Sequence, residues 1–341
     1  MCRVLSWCCA ALVAVCAALC GGTPTSATEL GIDGTRFTID GEPVFLLGAS
    51  YYGGLGASDE TLKTDLDALE KAGFNWIRVW ATWVAFGEDF AAVDGEGRPR
   101  DAQLKKLRQL VAECDRRGMI VDVTISRGAG DERDRLIKHE QHARAVETIV
   151  TALKEHRNWY LDLANERNIG DARHASNDEL AKLRELVRRL DEHLLVTASQ
   201  GGDIGRDELG DYLTKVKVDF ITPHRPRHDE SPGETEEMTR RYLAWMKEHD
   251  RVVPVHYQEP FRAGYSSRSW EPTTDDFLTD LKQAHDGGAA GWCFHNGDER
   301  GADDGRPRRS FDLRDGPLME QITKPERAVI ERAAGAIGAS S

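Results

Sequence analysis

Beyond residue 20 the chain carries only Cys114 and Cys293, although the full 341-residue sequence has seven cysteines. The other five (Cys2, Cys8, Cys9, Cys16 and Cys20) crowd into the first twenty residues. A disulfide framework is thereby excluded, and a lone pair of distant thiols offers no zinc-ligand spacing. Cys114 lies in a helical pattern and Cys293 in a strand-like run, so both are expected to be free and buried. Excess positive charge is also missing: 45 Lys+Arg face 58 Asp+Glu, giving a net charge of -13 and a pI near 5.4. Nucleic-acid binding rests on clustered cations, so it is not expected here, and the overall charge suits a neutral glycan better than a polyanion. No apolar run long enough to span a bilayer occurs after residue 20.

The one apolar run stands at the start. Arg3 is the only charge before Glu29, Val4 to Leu19 is almost wholly apolar, and Thr25-Ser26-Ala27 offers small residues for cleavage. This reads as a signal peptide over residues 1–27, followed by one domain over 28–341, secreted or periplasmic, with no stable membrane insertion. Lipid attachment at Cys20 is the lesser alternative, because the bulky Leu19 precedes it.

After a short hairpin lead (37–43), apolar runs suited to buried strands alternate with amphipathic, charge-rich runs suited to helices. The strands are expected at 44–52, 75–83, 119–126, 159–166, 194–200, 218–225, 252–259 and 291–297. Helices are expected near 59–72, 101–117, 136–157, 176–191, 206–216, 233–249, 273–286 and 316–334. Ser58, Ser176 followed by Glu179, and Thr273 followed by Asp276 supply helix starts. Strands apolar throughout are buried on both faces, as in a parallel sheet covered by helices. Eight such units in succession predict an α/β fold of the (β/α)8 TIM-barrel type. An open doubly wound sheet is the rival, but no strand is followed by a GxGxxG turn.

In such a barrel the chemistry sits on the loops after the strands. The strand ends carry Arg78 and Trp80 on the second, Asn165-Glu166 on the fourth, His224 on the sixth, Tyr257 and Glu259 on the seventh, and His295 on the eighth. Carboxylates on strands four and seven can converge across the barrel axis. The run WYLDLANERN (159–168) resembles the Asn-Glu acid/base motif of the retaining glycoside hydrolases of clan A, most nearly family 5, the cellulase and mannanase group. VPVHYQEP (253–260) resembles that family's nucleophile strand and NWIRVW (75–80) its arginine strand. The resemblance implies a retaining O-glycosidase without cofactor or metal, with Glu166 as acid/base and Glu259 as nucleophile. Asn165 is then placed to donate to the sugar 2-hydroxyl, Arg78 to keep Glu259 charged, and burial with the like charge of Glu259 to raise the Glu166 pKa. His224 and Tyr257 are read as groups orienting the carboxylates, His295 as a further substrate contact, and Trp80, Trp83 and Trp270 as sugar platforms.

Three departures accompany the resemblance. MIVDVTIS has no strand-three histidine, Pro226 stands where a tyrosine follows the strand-six histidine, and His295 stands near the place of the strand-eight tryptophan. They motivate the alternative of a catalytically weak or inactive carbohydrate-binding barrel. Two other motifs are set aside. His139-Glu140-Gln141-His142 lacks the four-residue histidine spacing of a metalloprotease and reads as a solvated helix face, and no GxSxG elbow surrounds Ser126 or Ser199. A carbohydrate is the expected partner and a monomer the expected state.

Overall fold

The computed structural model describes residues 27–82, 84–85, 88–128, 135–264, 270–297 and 311–338. Of the signal-peptide reading over 1–27 only the exposed Ala27 is described, and Trp83 and residues 298–310 also lie outside the described residues.

Seven parallel strands form one sheet. In chain order they are strand one Leu46–Ser50, strand two Trp76–Trp80, strand three Ile120–Thr124, strand four Trp159–Asp162, strand five Leu195–Thr197, strand seven His256–Tyr257 and strand eight Gly291–Phe294. Across the sheet the order runs five, four, three, two, one, eight, seven. Between the two edges lies residue segment 218–224. Asp219 N donates to Val196 O (2.8 Å) and Gln200 N to Thr222 O (3.1 Å) on one side; Ile221 N donates to Pro254 O (3.0 Å) on the other. The short strand six, Pro223–His224, also pairs in parallel with Gln200–Gly201. The sheet is therefore curled in the manner of a TIM barrel, with the expected α/β alternation.

Strands one, two and three are buried at all five positions, which explains their lack of alternation. Inside the curl the side chains are bulky, and the backbone makes room for them. A β-carbon on Gly48 would collide with the indole of Trp76, its register partner on strand two. Helices Asp59–Lys71, Asp101–Asp115, His139–Leu153, Asn177–Leu190, Ser231–Lys247 and Thr274–Gly287 pack their apolar faces on the outside. The Ser58, Ser176 and Thr273 caps form as expected, each side chain accepting from a backbone N–H of the first turn, worth roughly 1 kcal/mol apiece. The 206–216 helix widens at Tyr212–Val216 and ends at Lys217, φ +60°.

The lead is a three-stranded antiparallel sheet, Leu30–Asp33, Arg36–Ile39 and Glu42–Val44, one strand larger than a hairpin. Its Phe37 is fully buried against the edges of Phe220 (centroids 5.0 Å apart) and His256 (5.5 Å). With Trp76 and Tyr160 they form an aromatic layer beneath the polar groups described next. Cys114 and Cys293 are free and buried. Among the described residues no helix is long and apolar enough to cross a membrane.

Candidate active site

Above the aromatic layer the interior turns polar, and Arg78 is its centre. The side chain is fully buried. Its Nε donates to Thr124 Oγ1 (3.0 Å) and pairs with Asp122 Oδ2 (3.1 Å). Its Nη2 donates to Asp162 Oδ2 (3.2 Å) and Asn165 Oδ1 (2.9 Å), while Nη1 donates to Glu259 Oε1. A buried guanidinium is tolerated only when its donors are met in this way. Burial pushes the Asp122 carboxyl up to about 8 despite Arg78, whereas Glu259 is held well below the ordinary carboxylate range and carries opposing charge.

The chain beyond strand four is shaped by Asp162. Its Oδ1 accepts from Ser199 N (3.0 Å) and Ala164 N (3.3 Å), turning 163–166 over the strand ends. Glu166 sits at φ +46°, in the left-handed region that the β-carbon of an L-residue disfavours. Strain of order 1 kcal/mol or more is held there by Glu166 N donating to Ser199 Oγ (3.1 Å). Residues held in this way cluster at functional sites.

Glu166 and Glu259 meet as expected. Oxygens of the two carboxylates and a ring nitrogen of His224 all lie within 4.8 Å of one another. His224 Nδ1 stands 3.4 Å from Glu166 Oε1 and 3.5 Å from Glu259 Oε2. Tyr52 donates its hydroxyl to Glu259 Oε1 (2.9 Å), and His295 Nε2 is 3.6 Å from Glu259 Oε2. His295 Nδ1 shares hydrogen bonds with Ser50 Oγ (2.8 Å) and the Tyr52 hydroxyl (3.2 Å).

Two arginines complete the cluster, and neither was expected. Arg173 Nη1 donates to Glu166 Oε2 (2.7 Å), and Arg227 Nη2 donates to Glu259 Oε2 (3.0 Å) while lying 3.9 Å from Glu166 Oε1. Arg173 also grips Asp171, which steadies it. Both arginines sit on loops after strands four and six, where no periodic pattern marks a residue; proximity in sequence to Glu166 and His224 was the only signal.

These cations decide the ionisation. Burial raises the Glu259 pKa, but His224, His295, Arg78 and Arg227 together hold it well below the ordinary carboxylate range. For Glu166 the expectation of a raised pKa is overturned. Burial and the charge of Glu259 do push it up, yet the His224 hydrogen bond and the charges of His224 and Arg227 outweigh them, and the net shift is downward.

Other expectations fare unevenly. Tyr257 does not reach the carboxylates: it is fully buried and its hydroxyl bonds Thr239 Oγ1 (2.6 Å) on helix Ser231–Lys247. Successive strand residues face opposite ways. His256 and Gln258 turn inward to Tyr160 and Asp122, so Tyr257 turns outward, and Glu259 lies past the strand's end. Trp80 is only 5% exposed, packed on Tyr52 (5.2 Å) and stacked over Arg78 (5.4 Å), which leaves little face for a sugar. Trp270 packs half-buried against Phe261 (4.9 Å). His142 is buried, not solvated: it accepts from Arg127 Nε (2.9 Å) and meets Leu163 O (2.7 Å).

Residues 37–199 match the family model "Cellulase (glycosyl hydrolase family 5)", a span that includes Arg78 and Glu166 but not Glu259. No curated protein matches the sequence. Among solved structures, the β-mannanase from the blue mussel Mytilus edulis superposes with a TM-score of 0.58 at 13% identity, covering 91% of this chain and 97% of that one. The glycoside hydrolase family 5 mannosidase from Rhizomucor miehei gives 0.59 at 13% identity, covering 93% and 98%. A structure from Bacteroides vulgatus, assigned to the glycoside hydrolases, gives 0.65 at 16% identity over 90% of this chain, which spans 60% of its length. At such identities the superpositions establish a common fold.

Proposed function

We propose that this clan A, family 5-like O-glycosyl hydrolase cleaves its glycosidic bond with retention, by double displacement on a closed (β/α)8 barrel. One observation carries the proposal: one carboxylate oxygen of Glu166 and one of Glu259, beyond strands four and seven, lie within 4.8 Å of each other and of a His224 ring nitrogen, which favours the closer spacing. Retaining enzymes hold their carboxyl groups about 5–5.5 Å apart, whereas inversion needs about 6.5–9.5 Å for a water molecule.

Glu259 is the nucleophile. Arg78 and Tyr52 both grip its Oε1 and favour the ionised form, leaving the carboxylate aimed at the anomeric carbon. Glu166 protonates the leaving oxygen as the glycosyl–Glu259 ester forms. It then accepts a proton from the water that attacks the same carbon and releases Glu259. Esterification removes the Glu259 charge, which together with the larger effect of burial raises the Glu166 pKa, and so favours the Glu166 carboxylate when a base is needed. Asn165 Oδ1 accepts from Arg78, which turns its amide donor toward the place of the 2-hydroxyl. The catalytic domain is taken as residues 28–341, exported behind a signal over 1–27 to the outside or the periplasm, and monomeric.

Glu259→Ala tests the assignment. It should abolish hydrolysis of aryl glycosides, and azide should restore turnover with an inverted glycosyl azide as product. Unimpaired hydrolysis in that variant refutes the mechanism. A second reading, a carbohydrate-binding barrel with little or no turnover, is favoured by the cations that keep Glu166 ionised. Wild-type turnover on β-mannan or cellulose oligosaccharides, the substrates that the fold relatives suggest, excludes it.

A further inference from the structure

A general acid must hold a proton, yet Glu166 is clamped as an anion by Arg173 at 2.7 Å, with His224 at 3.4 Å and Arg227 at 3.9 Å. Arg227 clamps the nucleophile too, at 3.0 Å. Both guanidiniums stand at the solvent side of the cluster, 29% and 20% exposed, while His224 and Glu259 beneath them are 1% and 5% exposed. They come from separate loops and are the most solvent-exposed side chains in contact with the two carboxylates. A neutral sugar offers no charge in exchange for the ion pair that a guanidinium gives up when it leaves a carboxylate. An oxyanion on the sugar could, because the planar fork of arginine accepts it in place of the carboxylate at little cost.

We propose that Arg173 and Arg227 form a receptor for an anionic group on the substrate, so that the glycan cleaved here carries a carboxylate or a sulfate ester on a sugar flanking the scissile bond. The inference rests on the reading of Glu166 as acid/base. Transfer of the two guanidiniums to the substrate removes the Arg173 ion pair and the Arg227 charge from Glu166, leaving the His224 contact to oppose burial and Glu259 and so favouring protonation. The negative net charge of the whole chain does not oppose this. Salt screens charges beyond about 8 Å, whereas a contact pair in a pocket is screened far less.

The test compares oligosaccharides of one linkage that differ at a single position: neutral hexose, uronic acid and O-sulfate. The wild type should show a kcat/KM at least 10-fold higher on one anionic form than on its neutral twin, and which one assigns the oxyanion. Arg173→Gln and Arg227→Gln should each reduce that preference by roughly 10- to 100-fold, the loss falling on the anionic substrate. Arg227→Lys should recover part of it, with melting curves confirming that each variant folds. A wild type that cleaves the neutral twin as well or better overturns the proposal, as does an equal loss on both substrates. Glu166→Ala keeps the two ideas separate. If it still turns over a dinitrophenyl glycoside, whose leaving group needs no acid, and azide accelerates it, the acid/base reading stands even where the anion preference fails.

Discussion

Replacing Arg78 with methionine probes the polar core and the nucleophile together. The side chain fills similar space but removes a guanidinium that meets Asp122, Asp162, Asn165, Thr124 and Glu259. Breaking a buried ion pair by deleting one partner costs about 3–5 kcal/mol. At roughly 2–4 °C per kcal/mol, the melting temperature should fall by roughly 6–20 °C at neutral pH. Part of the loss should be recovered in acid, where the stranded carboxylates take up protons. The catalytic signature is separate from the stability loss. An adjacent cation lowers a carboxyl pKa by roughly 1–3 units, so without Arg78 the acid limb of kcat/KM on an aryl glycoside should move up by that amount. Arg78→Lys keeps one charge but cannot span these acceptors, and should lie between the two. An unchanged melting temperature together with an unmoved acid limb in Arg78→Met would refute the account of this layer.

Tyr52→Phe deletes the hydroxyl that donates to Glu259 Oε1 at 2.9 Å. A hydrogen bond to a charged group is worth about 1.5–3 kcal/mol, so kcat/KM should fall roughly 10- to 100-fold in steady-state assays, with little change in fold. His142 carries the pH prediction for stability. Burial and the neighbouring Arg127 charge depress its pKa to about 3, against about 6.5 for an unfolded histidine. The unfolded state therefore binds the proton first: this stability is full above pH 6.5 and drains away as the pH falls toward 3. His142→Gln should flatten the decline between pH 6.5 and 4 in denaturant titrations relative to the wild type; an identical slope would contradict the assignment.

The residues that sequence alone identified are those whose positions the strand register controls. Arg78 lies within strand two, His224 ends strand six, Glu259 and His295 follow strand ends within two residues and Asn165 and Glu166 within four, and strands buried on both faces are conspicuous as unbroken apolar runs. Tyr257 points away from the carboxylates because it alternates with the inward His256 and Gln258, and a strand buried on both faces does not show in its sequence which residues face inward. Arg173 and Arg227 escaped because a loop residue's direction is set by turns such as the left-handed Glu166, which have no periodic trace. The sign of the Glu166 shift follows from partners that the sequence does not weigh: burial and the like charge of Glu259 raise it, but the His224 hydrogen bond, with the charges of His224 and Arg227, outweighs them.

The stereochemistry of the first product tests the central claim most directly. Proton NMR of an aryl β-glycoside digest, recorded before mutarotation, should show the anomeric proton of the β-anomer appearing first, as two displacements at one carbon require. Initial appearance of the α-anomer would mean a single displacement by water, and Glu259 would not be the nucleophile.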